Sequence, residues 1–158
     1  MNAPIRMSAK EFREGGAKAG KRKTQVRVEP RGRAVASVTV TLTDMPPSAN
    51  QMRKHFIRYG KVVSVKSDAY AAWKSAAVQE IVSARHGHIE GPYRLAIAVQ
   101  RDWKSKRARD IDNILKPCSD ALVAAGVVSD DSLAESVSAK WADDLGGPAV
   151  VIEIEVVE

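Results

Sequence analysis

Residues 95–99 read Leu-Ala-Ile-Ala-Val, apolar at every position, which suits a β-strand covered on both faces by other elements. Such a strand belongs in the middle of a sheet, and the rest of the chain must supply its neighbours and its covers. Val38, Val40 and Leu42 alternate with Ser37, Thr39 and Thr41, the period of a strand with one buried face. Two further strands are expected near the C-terminus, over about 135–141 and 149–157, joined by a turn at Gly146-Gly147-Pro148. Ser67 can cap a helix that places Tyr70, Trp73, Ala77, Ile81 and Ala84 on one face and stops at Gly87. A second helix is predicted from about Asn113 to Ala125, with Leu115, Cys118 and Leu122 toward the core and Gly126 closing it. Pro46-Pro47-Ser48 opens a long polar loop that runs to about Lys66. The resulting order is β-α-β-α-β-β, an α/β (α+β) chain with a mixed β-sheet and helices packed on it.

Charge divides the chain more sharply than hydropathy does. Residues 1–34 carry ten Lys/Arg against three acids, whereas residues 35–158 carry fifteen against sixteen. The first segment is rich in Gly, Lys and Arg and poor in large apolar side chains, so it reads as a flexible basic arm ahead of one domain over 35–158. No apolar run approaches the ~20 residues a membrane helix needs, so no membrane association is expected. Cys118 is the single cysteine, which excludes an intramolecular disulfide and fits a reducing, cytoplasmic setting.

Within the domain, positive charge collects in two stretches. Arg53, Lys54, Arg58, Lys61 and Lys66 form one, with no acid among them, and Arg101, Lys104, Lys106, Arg107 and Arg109 form the other. A basic stretch alone serves as a solvated loop, but two of them make nucleic acid the leading partner, because Lys and Arg replace counterions along a phosphate backbone. Trp103, inside the second stretch, would serve equally as a stacking surface for a base or as an anchor for its loop.

The second stretch runs into Asp110-Ile111-Asp112-Asn113 at the start of a helix, where aspartates also serve as caps. Asp130-Asp131-Ser132, taken by itself, is turn chemistry. Distance links the two. A helix of ~13 residues is ~20 Å long, and residues 126–131, extended at ~3.3 Å each, cover nearly that length. If the chain doubles back after Gly126, Asp131 returns beside Asp110 and Asp112, and three carboxylates meeting at the edge of a basic surface call for a hard cation, Mg²⁺ or Mn²⁺. Lys116, one turn after Asp112, could pair with Asp112 or Asp120 at i,i+4 spacing or place its charge against a phosphate.

With these residues assembled, the chain from about residue 38 onward resembles the RusA family of Holliday-junction resolvases. The resembling segments are Pro46-Pro47-Ser48-Ala49-Asn50, then Arg109-Asp110-Ile111-Asp112-Asn113 with Lys116 and Asp120-Ala121-Leu122, then Gly126 through Ser132. The resemblance implies a homodimer whose two metal sites nick opposing strands of a four-way DNA junction. It also implies Asp110, Asp112 and Asp131 as metal ligands, Lys116 as the essential lysine, and Asn113 and Asp130 as neighbours that tune the site. Arg53, Lys54, Arg58, Lys61, Lys104, Lys106, Arg107 and Arg109 are the expected DNA contacts. The basic arm, and Ala49-Asn50-Gln51 where many relatives have an Asn-rich run, depart from that pattern. The rival from another class is a DNA-binding protein without catalysis, in which the acids only cap and turn.

Overall fold

The computed structural model describes residues 32–101 and 109–157. Four strands form the main sheet: β1 (Ser37–Leu42), β4 (Tyr93–Gln100), β5 (Ala134–Ala142) and β6 (Val150–Val156), in the order β1-β6-β4-β5. β6 runs antiparallel to both β1 and β4, and β4 pairs parallel with β5. The expected mixed sheet is present, with the 95–99 strand inside it. The parallel pair forces a crossover, which is made by helix α2 (Asp112–Ala125). Helix α1 (Asp68–Ala84) precedes β4 and lies beside α2. Ala77, Ile81, Ile114, Cys118, Ala121, Leu122 and Ala125 from the helices join Val38, Val40, Leu42, Leu95, Ile97, Val99, Ile152 and Ile154 from the sheet in a single core.

Several expectations are corrected. Both helices contribute to the core on the Leu95, Ile97 and Val99 side of β4, while Ala96 and Ala98 on the opposite side stay half-buried. Alanine fits either situation, so the all-apolar run overstated the cover. The loop expected up to Lys66 contains a hairpin, β2 (Arg53–Arg58) and β3 (Lys61–Lys66), with β2 exposed throughout. Its Phe, Ile and Val residues carry a strand pattern that the interleaved basic residues obscured. Helix α1 starts where expected, with the Ser67 hydroxyl accepting the Tyr70 N–H at 3.2 Å. It stops before Gly87, at Arg85, which takes the left-handed conformation, and Ala84 is exposed. Helix α2 carries Pro117, which has no N–H to offer the carbonyl of Asn113. Ile114, Cys118, Ala121 and Leu122 are its most buried residues, and Leu115 is only half-buried. At the start of the described domain, Val35 N–H donates to the His88 carbonyl and His88 N–H to that of Arg33. No helix among the described residues is long and apolar enough to cross a membrane.

Candidate active site

The residue before α2, Ile111, has helical backbone angles and gives no side-chain cap. Asp110 lies outside the helix, and its Oδ2 accepts from Asn113 Nδ2 at 3.3 Å, so its carboxylate bonds a side chain in place of a backbone cap. Asp112 opens the helix and accepts the Asn113 N–H on Oδ1 at 2.9 Å. Both acids are exposed. At the other end of α2, Gly126 takes φ 74° and returns its N–H to the carbonyls of Leu122 and Val123. That left-handed residue turns the chain back. Val127 and Val128 are buried, Ile89 N–H donates to the Val127 carbonyl at 2.8 Å, and the chain rises to a short 3-10 turn over Asp131–Leu133. Asp130 caps that turn by accepting the Ser132 N–H at 2.8 Å, which holds the Asp130 carboxyl below its ordinary pKa.

The doubling back delivers Asp131 to Lys116. Lys116 Nζ donates to Asp131 Oδ2 at 2.6 Å and pairs with Asp120 Oδ1 at 2.9 Å. The Tyr70 hydroxyl on α1 donates to the second oxygen of Asp120 at 2.7 Å. A chain of four side chains, Tyr70-Asp120-Lys116-Asp131, thus runs from the helix interface to the surface. The bond to Asp131, reinforced by Asp120, raises the Lys116 pKa against a modest burial penalty, so the ammonium is fixed in its charged form. Burial works against the Asp120 carboxylate, but the hydrogen bonds from Tyr70 and Lys116 and the charges of Lys116 and Lys74 outweigh it, and its pKa is lowered. Burial first, then the bond to Asp120, drive the Tyr70 pKa well above the usual phenol range. Tyr93, whose hydroxyl donates to the Asp130 carbonyl at 3.3 Å, is pushed up to about 12 by burial and by the charges of Asp131 and Asp130.

Of the predicted site residues, Lys116 and Asp131 are in direct contact, and Asp110 and Asp112 are linked through Asn113. Asp131 meets the helix at a residue four positions beyond Asp112, ~6 Å of rise. Among the described residues no group of three or more His, Cys, Asp or Glu is close enough to hold a metal ion as it stands. The i,i+4 partner of Lys116 is Asp120. Tyr70 and Asp120 were missed as site residues: Tyr70 shares the buried face of α1 with Ala77 and Ile81, and nothing in the sequence marks its hydroxyl as bonded across to α2.

The basic residues divide. Arg53, Lys54, Arg58 and Lys61 all lie on the β2–β3 hairpin; Arg53 bonds Ser64, and Lys54 pairs with Asp68 at 2.6 Å on the surface. Arg109 is half-buried and donates to the Pro46 carbonyl at 3.2 Å, tying the Pro-Pro loop to the entrance of α2. Lys104, Lys106, Arg107 and Trp103 lie outside the described residues. Cys118 is fully buried, and burial pushes its thiol up to about 12, so it is an inert core residue.

The fold and the acid-lysine cluster can be set beside known proteins. No curated protein sequence matches the chain. A family model described as endodeoxyribonuclease RusA matches residues 44–155, a span that takes in the hairpin, both helices, Asp110, Asp112, Lys116, Asp120 and Asp131. With more than half of its length covered by that one match, the chain belongs to the RusA endodeoxyribonuclease family.

Proposed function

We propose that this nuclease resolves four-way DNA junctions as a homodimer, by divalent-metal-dependent hydrolysis that nicks two opposed strands. The observation that carries the reading is the return of the chain after Gly126, which sets the Asp131 carboxylate on Lys116 one turn into the helix that Asp112 opens. Asp110, Asp112 and Asp131 offer only carboxylate oxygens, a donor set suited in kind to Mg²⁺ or Mn²⁺. They would hold the ion. When bound, such an ion polarises a phosphoryl oxygen and lowers the pKa of an attacking water.

The chain's own groups do the rest. An ammonium has three N–H donors, and Lys116 spends two on Asp131 and Asp120. The third can meet a non-bridging oxygen of the scissile phosphate, where a fixed positive charge favours the transition state in which negative charge grows. Asp120, itself held by Tyr70, fixes the direction of that charge. Asn113 restrains Asp110, and Asp130 fixes the turn that carries Asp131. Arg53, Lys54, Arg58 and Lys61 of the hairpin, with Lys104, Lys106, Arg107 and Arg109 of the second basic stretch, would supply phosphate contacts. A basic arm over residues 1–34 and a catalytic domain over 35–158 complete the organisation we propose.

Purified protein incubated with a synthetic four-way junction, a replication fork and a linear duplex, with and without Mg²⁺, tests the reading. Paired nicks in the junction that require Mg²⁺ are expected, with the linear duplex left intact. Binding without cleavage under every metal condition would refute it and leave a DNA-binding protein.

A further inference from the structure

The β2–β3 hairpin breaks three rules that make hairpins stable. Its two-residue turn, Tyr59-Gly60, has positive φ at both positions, 51° and 71°. That is the type I′ pattern, in which the first residue favours Asn or Asp and an aromatic side chain is disfavoured. Tyr59 nevertheless occupies it, 90% exposed, with the Arg58 guanidinium 5.4 Å from its ring. Second, Arg53 lies opposite Lys66 and Arg58 opposite Lys61, like charges facing each other across the ladder. Third, Ile57 and Val62, paired beside the turn, are each about three-quarters exposed. The Arg53 side chain bonds Ser64 and Lys54 pairs with Asp68, but the tip residues Ile57, Tyr59 and Val62 stay exposed, and a local sequence that opposes its own fold at three points suits a partner outside it.

We propose that this hairpin is a wedge that enters the branch point of the junction and places Tyr59 in a base stack opened there. The inference rests on the nuclease reading above and assigns the part that recognises branching. Charge selects DNA over a second copy of the chain as the occupant. Residues 53–66 hold Arg53, Lys54, Arg58, Lys61 and Lys66 and no acid, so two hairpins mated about a two-fold axis would repel, whereas phosphates relieve both like-charge pairs. Arg58 and Lys61 flank the turn and would grip the backbone on either side, while the ring and the apolar Ile57–Val62 pair cover unstacked bases. The hairpin is also rooted at the site. Ser67, which ends it, donates its hydroxyl to the Gln51 carbonyl at 2.7 Å and caps the helix whose first turn carries Tyr70. Six-residue strands then hold the tip ~20 Å out from that root, and a paired β-ribbon is stiff enough to keep it there.

The test uses the full chain and a four-way junction carrying 2-aminopurine at the crossover, a base whose fluorescence rises on unstacking, in buffer with a chelator so that no strand is cut. Wild type should raise the fluorescence on binding. Tyr59→Asn suits the positive φ and should melt at or above the wild-type temperature, yet it should lose the fluorescence rise. Its preference for junction over linear duplex should fall at least about fivefold, the low end of what one lost base-aromatic stack costs. Tyr59→Gly, equally at ease in the turn, should behave alike, and Tyr59→Trp should keep both signals. An unchanged fluorescence rise and junction preference in Tyr59→Asn and Tyr59→Gly would overturn the wedge and leave the nuclease reading standing. So would a loss of self-association in these variants, which would make the hairpin a contact between copies. Equal binding of junction and duplex by wild type, with no junction cleavage on adding Mg²⁺, would instead remove the resolvase reading and the wedge with it.

Discussion

Asp120→Asn separates a lysine that is aimed from one that is merely present. The substitution keeps the side chain's size and leaves an amide oxygen for the Tyr70 hydroxyl, but it removes the charge that shares Lys116 with Asp131. A hydrogen bond to a charged acceptor contributes ~1.5–3 kcal/mol and one to a neutral acceptor ~1. The Lys116 side chain is 54% exposed, so solvent screens its pair with Asp120 and the lost attraction is worth ~0.5 kcal/mol. Stability should therefore fall by about 1–2 kcal/mol, a drop of roughly 3–8 °C in Tm. With one of its two anchors gone, the ammonium no longer points in a fixed direction, and loss of such positioning should lower kcat about tenfold, ~1.4 kcal/mol in the barrier. Junction affinity should stay within about twofold, because Lys116 makes only one of many phosphate contacts and keeps its charge.

Single-turnover cleavage at saturating junction, alongside thermal melts, reads both quantities. A lowered Tm with cleavage within about twofold of wild type would refute the positioning role and leave Asp120 as a structural acid. The pH dependence gives a second reading. Asp120 is held below its ordinary pKa in the fold, so its stabilisation is complete above the unfolded value of ~3.9 and is lost as the pH falls through the lower folded value. Tyr70, Lys74 and Lys116, the groups that face it, keep their protons throughout that range. Urea midpoints of wild type and Asp120→Asn should therefore differ at pH 7 and converge as the pH falls below ~3.9.

Asp131→Asn should fold normally, bind junctions at least as well as wild type, and cleave about 100-fold more slowly, the scale of losing a group that holds a catalytic ion; near-normal Mg²⁺-dependent cleavage would remove Asp131 from the site. Removing residues 1–31, which hold nine Lys/Arg against three acids, should flatten the salt dependence of duplex binding while sparing cleavage, as read from binding isotherms across a salt series. Light scattering at micromolar concentration should report about twice the 17.1 kDa chain mass, and a monomer that still nicks both strands together would contradict the dimer.

What the sequence reveals here depends on how far each signal reaches along the chain. Ser67 as a cap and Gly126 as a reversal are local devices, and both operate where a reader of the sequence would place them. The alternation in β1 and β6 is equally local, and each buries the expected face. The hairpin was hidden for a different reason. Its apolar residues are not buried, so no core-facing period betrayed them, and Tyr59-Gly60 is not a turn pair that local stability would select. Distance hid the Tyr70-Asp120 bond, which joins residues 50 apart through the packing of two helices. The return of Asp131 was legible as a length match, but the residue it meets, Lys116 and not Asp112, is decided by tertiary constraints.

Those constraints are visible in the register of the sheet. Ile89 N–H holds Val127, and the Tyr93 hydroxyl holds the Asp130 carbonyl, so the rising segment is pinned at two heights against the start of β4. Beyond it, Ala134 pairs with Tyr93 but Ser136 pairs with Arg94, leaving Glu135 as an extra residue in β5. A bulge at this point matters because side chains alternate with period two. Without the extra residue, either Val137, Ala139 and Trp141 would leave the face they share with Leu95, Ile97 and Val99, or the Asp131–Leu133 turn would shift by one position. The shift would carry Asp131 off Lys116, since a displacement of ~3.3 Å along a strand exceeds the tolerance of a 2.6 Å hydrogen bond. The irregular pairing at the foot of β5 thus lets one chain satisfy two demands that a regular strand sets against each other, a core-facing sheet and a carboxylate aimed at the lysine.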